Sequence, residues 1–150
     1  MIKHFIIWGD ARGKQRPRVT TRGGTARTYT PEETVNYESM VKLEYMRQTG
    51  PYRFEGPLYM SVTICTAPPQ SVSNAKRLQM LSGDIRPERK PDLDNVAKII
   101  CDALNNLAYR DDKQIVDLWV KRYYAVHPGV CVVIGDEPIA TGGFDNVTLP

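Results

Sequence analysis

Hydrophobic positions along this chain follow two rhythms. Between Gly56-Pro57 and Pro68-Pro69, Leu58, Met60, Val62 and Ile64 take every second position, the period of a half-buried β-strand. Further on, Val96, Ile99, Ile100, Ala103, Leu104 and Leu107 recur at the spacing of one apolar helix face. The remaining apolar runs fall into place around these two. Phe5-Ile6-Ile7-Trp8 predicts a short strand. Gln114 to Tyr124 predicts a third strand, with Val116, Leu118 and Val120 turned inward and Asp117, Lys121 and Tyr123 facing away. His127-Pro128-Gly129 predicts a turn, and Val130–Ile134 a fourth strand.

Polar punctuation sets the other boundaries. Thr30-Pro31-Glu32-Glu33 predicts a helix start with an N-cap, a proline at the first helical position and a glutamate completing a capping box. That helix runs to about Gln48 and stops at Gly50-Pro51, with Tyr37, Met40, Val41 and Tyr45 as its core residues. The polar stretch from Ser71 to Lys90 holds a short helix at Ser73–Ser82 and is either a surface excursion or a segment that folds over substrate. Gly9 to Tyr29 is a long loop, and loops of that length are usually functional or disordered. The order β-α-β-α-β-β gives an α+β fold: one domain with a small mixed β-sheet of about four strands packed by two α-helices. The domain spans residues 1–135. Residues 136–150 form an acidic tail that reads as loosely ordered.

Composition narrows the class. A chain of 150 residues, 25% of them charged, is long enough for one real core. No stretch approaches the roughly 18 consecutive apolar residues of a membrane span, and Met1-Ile2-Lys3-His4 opens no signal-peptide core. The expectation is a cytoplasmic protein with no membrane partner. Cys65, Cys101 and Cys131 are widely spaced and read as reduced, mostly buried thiols; with only His4 and His127, a structural zinc site is not expected.

The net charge is only +3, but its distribution is uneven. Residues 1–30 carry seven Lys and Arg against Asp10 alone, a net of +6, whereas residues 136–150 carry Asp136, Glu137 and Asp145 and no cation. Six of the seven, Arg12, Lys14, Arg16, Arg18, Arg22 and Arg27, crowd into the long loop. A solvated basic loop is the ordinary reading; such density points instead to contact with a phosphate backbone. Arg77, Arg86, Arg89 and Lys90 are weaker candidates.

The sharpest chemistry lies at Lys90-Pro91-Asp92-Leu93-Asp94-Asn95-Val96-Ala97-Lys98, followed by Asp111-Asp112. Pro91 keeps Lys90 extended, so Asp92 and Asp94 are expected to project together as i and i+2 of an extended segment. The helix then begins near Val96, with Asp94 or Asn95 as N-cap, and Asp94, Lys98 and Asp102 form a charged stripe opposite the apolar face. Each residue alone has a structural explanation: a cap, an i+4 ion pair, a polar turn. Those explanations account poorly for Asp92, which adds negative charge beside Asp94. Concentrated carboxylates are costly without a positive partner. A hard divalent cation such as magnesium, held by one or two carboxylates plus substrate phosphates, supplies it. The implied chemistry is metal-dependent phosphoryl transfer.

These motifs resemble the RusA family of Holliday junction resolvases. The D-x-D-N segment, Lys98, Asp102-Ala103-Leu104 and Asp111-Asp112-Lys113-Gln114-Ile115 occur in the family's order, and Gly13-Lys14-Gln15-Arg16-Pro17-Arg18 with Thr28-Tyr29-Thr30-Pro31 resembles the N-terminal block of phage-type members. The resemblance covers residues 3 to 134. It implies that Asp92, Asp94 and Asp112 hold Mg2+ (or Mn2+), with Asp112 the member of its pair that matches the family position, and that Lys98 is the essential lysine. It implies a homodimer that resolves branched DNA, a four-way junction, by paired nicks leaving 5′-phosphate and 3′-hydroxyl ends, in recombination or repair, with a phage or prophage setting. A flap or fork nuclease would use the same metal chemistry. A nucleotide-sugar transferase built on D-x-D, or a DNA-binding module with a structural acidic cluster, are the rival classes.

Overall fold

The alternation at Leu58–Ile64 becomes an interior strand of the main sheet, and the helical rhythm after Val96 becomes the helix that covers it. The computed structural model describes residues 1–139. Its elements are β1 (Ile2–Trp8), β2 (Arg18–Thr20), β3 (Arg27–Tyr29), α1 (Glu32–Thr49), β4 (Leu58–Thr66), α2 (Asn74–Leu81), α3 (Leu93–Leu104), a 3-10 turn (Asp112–Gln114), β5 (Ile115–Tyr124) and β6 (Gly129–Gly135). The main sheet has the order β1-β6-β4-β5. β6 runs antiparallel to both β1 and β4, and β5 lies parallel to β4 on the edge. This is the α+β domain with a mixed four-stranded sheet that the sequence predicts, with a second small sheet, β2-β3, added.

The core is one cluster. Phe5 and Ile7 of β1, the four alternating residues of β4, and Val130, Val132 and Ile134 of β6 face Tyr37, Val41 and Tyr45 of α1 and Val96, Ile99, Ile100, Ala103 and Leu104 of α3. Phe5 meets Tyr45 edge to face at 5.4 Å, the arrangement that aromatic quadrupoles favour. Ile99, Ile100 and Leu104 are fully buried, each worth about 1.5–3 kcal/mol of apolar transfer. The three cysteines are free and buried, and burial pushes the Cys65 and Cys101 thiols up to about 11.

Several elements differ from expectation. The long basic loop is not structureless: Arg18, Val19 and Thr20 pair with Tyr29, Thr28 and Arg27 across a turn in which Gly23 and Gly24 take φ of 88° and 83°, values that glycine adopts without steric cost. α1 starts after Pro31, and no side chain caps it. Thr34 is buried instead, its hydroxyl accepting the Gln15 N–H at 3.4 Å. Met40 is 43% exposed, because the buried stripe of α1 runs through Tyr37, Val41 and Tyr45 at i, i+4 and i+8. α3 begins at Leu93, before the apolar rhythm, because its first turn carries no core residue; it ends at Leu104, so Leu107 lies beyond it. Val116 and Leu118 are 60% and 42% exposed rather than inward, since β5 is an edge strand. α2 matches its expected place, with Ser73 Oγ capping Lys76 N at 3.3 Å.

Asp136, the first residue of the acidic tail, is tied by the terminal amine of Met1 at 2.8 Å. The reading of that tail as loosely ordered falls, from residue 140 on, outside the described residues. Among the described residues no helix is long and apolar enough to cross a membrane.

Candidate active site

The start of α3 is where the chemistry gathers. Asp92 is the N-cap, with φ −65° and ψ 145°, and its backbone carbonyl accepts the first helical bond from Val96 N at 3.1 Å. An N-cap aspartate ordinarily also accepts backbone N–H bonds with its side chain. Asp92 makes no such bond, so its carboxylate is uncommitted. Asp94 sits in the first helical turn, not in an extended segment. The i, i+2 projection of Asp92 and Asp94 is therefore replaced by a geometry in which the two residues line opposite sides of the helix entry.

Asp112 returns to this end of the molecule because the chain after α3 is pinned. The Tyr109 hydroxyl donates to the Cys101 carbonyl at 2.8 Å, and Ala108 O accepts Phe54 N at 2.7 Å. Tyr109 is fully buried, and that burial pushes its hydroxyl far above its ordinary pKa. The Asp111–Gln114 turn then divides the acidic pair. Asp111 accepts Lys113 N at 3.0 Å, and the Gln114 side chain accepts Asp111 N at 3.2 Å, a complete capping box. Asp112 is left to line a hollow of about 560 Å³ with Asp94, Lys98 and the apolar side chains of Leu93, Ala97, Ile115, Leu118 and Val120. Burial raises the Asp112 pKa, as do the hydrogen bond with Asp111 and the charges of Asp102 and Asp111; Lys98 opposes them.

A second hollow, about 460 Å³, lies on the other side of the α3 entry and is lined by Arg12, Lys90, Asp92, Asn95, Glu33 and Thr34. Among the described residues no three His, Cys, Asp or Glu side chains stand close enough to form a ready metal cage. The structure brings Asp94, Lys98 and Asp112 to one hollow and leaves Asp92 lining the other. The donors are all carboxylate oxygens, which suit hard cations. A magnesium site needs only one or two of them, completed by water and substrate phosphates. Asp94 and Asp112 meet that requirement.

The basic loop divides in the same way. Lys14 is anchored, its Nζ 2.5 Å from Glu38 of α1 and 3.3 Å from Asp102 of α3. Burial acts to lower its pKa, but the hydrogen bonds and charges of those carboxylates prevail and raise it. Lys14 N also donates to Asn95 O at 3.0 Å. Lys14 therefore fastens the loop to α1 and α3. Asp102 is drawn to Lys14, away from the expected stripe. Arg12 lines the second hollow, and like Arg16, Arg18, Arg22 and Arg27 it is exposed. Tyr37, buried near Arg12, has a hydroxyl with no partner, and burial raises its pKa strongly.

One contributor escaped the sequence reading. Arg122 of β5 donates through Nη1 to Arg89 O and through Nη2 to Pro91 O, the residue before Asp92. Its signal was present: Arg122 is in phase with Leu118 and Val120, a charge on the side of β5 that the alternation turns inward.

Residues 9–135 match the family described as Endodeoxyribonuclease RusA. The chain is also similar to the Bacillus subtilis (strain 168) protein described as Uncharacterized protein YqaN, 36% identical over 132 residues, which covers 87% of this chain and 93% of that protein.

Proposed function

The chain belongs to the RusA endodeoxyribonuclease family, and from that premise we propose that it resolves four-way DNA junctions by paired, symmetric nicks that depend on Mg2+, with Mn2+ able to substitute. The observation that carries this reading is the meeting of Asp94 and Lys98 of α3 with Asp112 around one hollow, while the uncommitted carboxylate of Asp92 caps the same helix and lines the neighbouring hollow. Asp92, Asp94 and Asp112 would hold the metal. When bound, such a cation supplies Lewis-acid neutralisation of phosphate charge.

The chain's own groups do the rest. Water adds to the phosphorus, the bond from phosphorus to O3′ breaks, and a proton ends on the 3′-oxygen. The Lys98 ammonium stabilises charge that builds on the scissile phosphate, an interaction that strengthens toward the transition state. The first-turn N–H groups of α3 add the positive end of a helix dipole beside it. Arg16, Arg18, Arg22 and Arg27, with Arg12 at the second hollow, hold the flanking backbone. Those contacts read phosphate placement and not sequence. A junction has approximate two-fold symmetry, so a homodimer presents two such sites on a matching axis.

The test is cleavage of a synthetic four-way junction against linear duplex and splayed-arm controls, with magnesium, with chelator, and with Asp92→Asn. Paired nicks confined to the junction, abolished by chelator and by Asp92→Asn, are expected. Equal cutting of all DNA forms would leave a general or flap nuclease; binding without cutting under every condition would leave a DNA-binding module. A sedimentation mass equal to one chain, together with full paired cleavage, would remove the dimer.

A further inference from the structure

Three segments converge on the turn that presents Asp92. From β5, the Arg122 guanidinium donates to the carbonyls of Arg89 and Pro91. From the strap between α2 and α3, Arg86 answers in kind: its Nε donates to the Arg122 carbonyl at 2.6 Å, and its guanidinium lies 3.8 Å from the centroid of the Tyr123 ring. From the basic loop, Gly13 passes so close that a Cβ there would stand 3.1 Å from Asn95 Cβ and 3.2 Å from Pro91 Cβ. The Pro91 carbonyl belongs to the peptide plane whose nitrogen is that of Asp92. Fixing that carbonyl fixes the plane from which the Asp92 side chain departs.

We propose that Arg122 is a positioning residue of the nuclease site, acting through the Pro91–Asp92 peptide, with Arg86 as its counter-clamp. The inference rests on the reading of Asp92 as a metal carboxylate. Asp92 has no capping bond of its own to hold it, so its orientation must come from the backbone that carries it. A planar guanidinium suits the task because its fork donates to two acceptors at once, whereas an ammonium is a compact point charge on a flexible stem. Outer contacts of this kind orient metal-binding groups, and losing one typically weakens metal affinity about 10- to 100-fold. The Arg122 guanidinium donates to backbone carbonyls, so its effect on the site passes through the backbone.

The experiment compares the wild-type protein with Arg122→Ala, Arg122→Lys and Arg86→Ala. The control is Arg47→Ala, whose arginine pairs with Glu44 on α1 at 2.7 Å. Four quantities are read: Mn2+ affinity of the protein alone by calorimetry, the magnesium dependence of junction cleavage, junction affinity in chelator, and hydrogen exchange of the amides at residues 92–96. Arg122→Ala is expected to weaken Mn2+ binding about 10- to 100-fold and to raise the magnesium needed for half-maximal cleavage by the same factor. It speeds exchange at Val96, whose N–H bonds the Asp92 carbonyl, and leaves junction affinity in chelator close to that of wild type. Arg122→Lys restores part of each loss, Arg86→Ala gives a smaller loss in the same direction, and the control gives none. Unchanged Mn2+ affinity together with unchanged exchange in Arg122→Ala overturns the proposal; if that variant fails to fold, Arg122→Lys and Arg86→Ala decide by the same two readouts. A wild-type protein that neither binds Mn2+ nor cuts a junction would remove the nuclease reading alone, because the exchange data still show whether Arg122 orders the Asp92 turn.

Discussion

Two aspartates open helical turns in this molecule, and they use their carboxylates in opposite ways. Asp111 accepts the Lys113 N–H, and Gln114 closes a reciprocal capping box around it. Asp92 opens the longer and better-packed α3 and caps nothing with its side chain. The turn at Asp111 thus consumes its own charge, while the start of α3 leaves charge unspent: Asp92 uncapped, Asp94 in the first turn, Asp112 raised by burial and by neighbouring carboxylates. Unsatisfied charge on rigid elements is what a binding site needs, and satisfied charge is what a turn needs. The same residue type, at the same helical position, leaves its carboxylate free in one place and commits it to a cap in the other.

The largest expected effect breaks the comparison if it fails. Asp92→Asn should reduce junction cleavage by about 10³-fold, the scale of several kcal/mol of lost charge stabilisation. Its thermal midpoint should barely move, since asparagine is an equally good N-cap. Asp111→Ala should do the reverse: cleavage within a few-fold of wild type and a lowered thermal midpoint as the cap is lost. Equal activity losses at the two positions would end the distinction. Asp112→Asn sharpens it. Burial and repulsion raise the Asp112 pKa, so its ionised form is disfavoured in the folded state. That penalty is full above the raised folded pKa, fades as pH falls through it, and is gone below the unfolded pKa. The variant should therefore lose cleavage while its thermal midpoint at neutral pH holds or rises, with the gain vanishing in acid.

The sequence made the satisfied and unsatisfied residues look alike. Binary pattern located every strand of the main sheet and the α3 helix, because buried apolar side chains dictate period directly, while start and stop signals located α1. It placed the start of α3 too late, since Leu93, Asp94 and Asn95 fill a first turn that packs no core. It gave Val116 and Leu118 to the core because alternation does not say which strand is an edge. The motif residues Asp94, Lys98 and Asp112 are legible from the resemblance, and the structure adds how they meet. What composition could not separate is Asp111 from Asp112, or Lys14 from the arginines around it. That separation depends on which carboxylate or N–H lies within about 3 Å, a fact of tertiary packing and not of local pattern.

The basic loop repeats the contrast at lower energy. Lys14 is committed: its ammonium bridges Glu38 and Asp102, joining the loop to α1 and α3. Lys14→Ala should destabilise the fold by about 1–3 kcal/mol, the scale for charged hydrogen bonds whose half-buried partners are left unmatched. Calorimetric unfolding measures this. The salt dependence of junction binding should not change, since Lys14 neutralises carboxylates and not phosphates.

The smallest effect is the reverse of that one. Arg27 faces Thr20 across the β2-β3 pair and is exposed, in a small ribbon held together by its own ladder and not by the core. Its removal leaves no buried partner behind, so Arg27→Ala should leave the unfolding midpoint unchanged. If Arg27 contacts a phosphate, the variant should weaken junction binding uniformly across sequences and reduce the slope of log affinity against log salt by about 1. Arg18→Ala and Arg22→Ala should each subtract a similar step. A set of variants in which Lys14→Ala changes the slope and Arg27→Ala changes the stability would invert the division between committed and uncommitted charge. The opposite pattern would extend it from the carboxylates of α3 to the cations that face them.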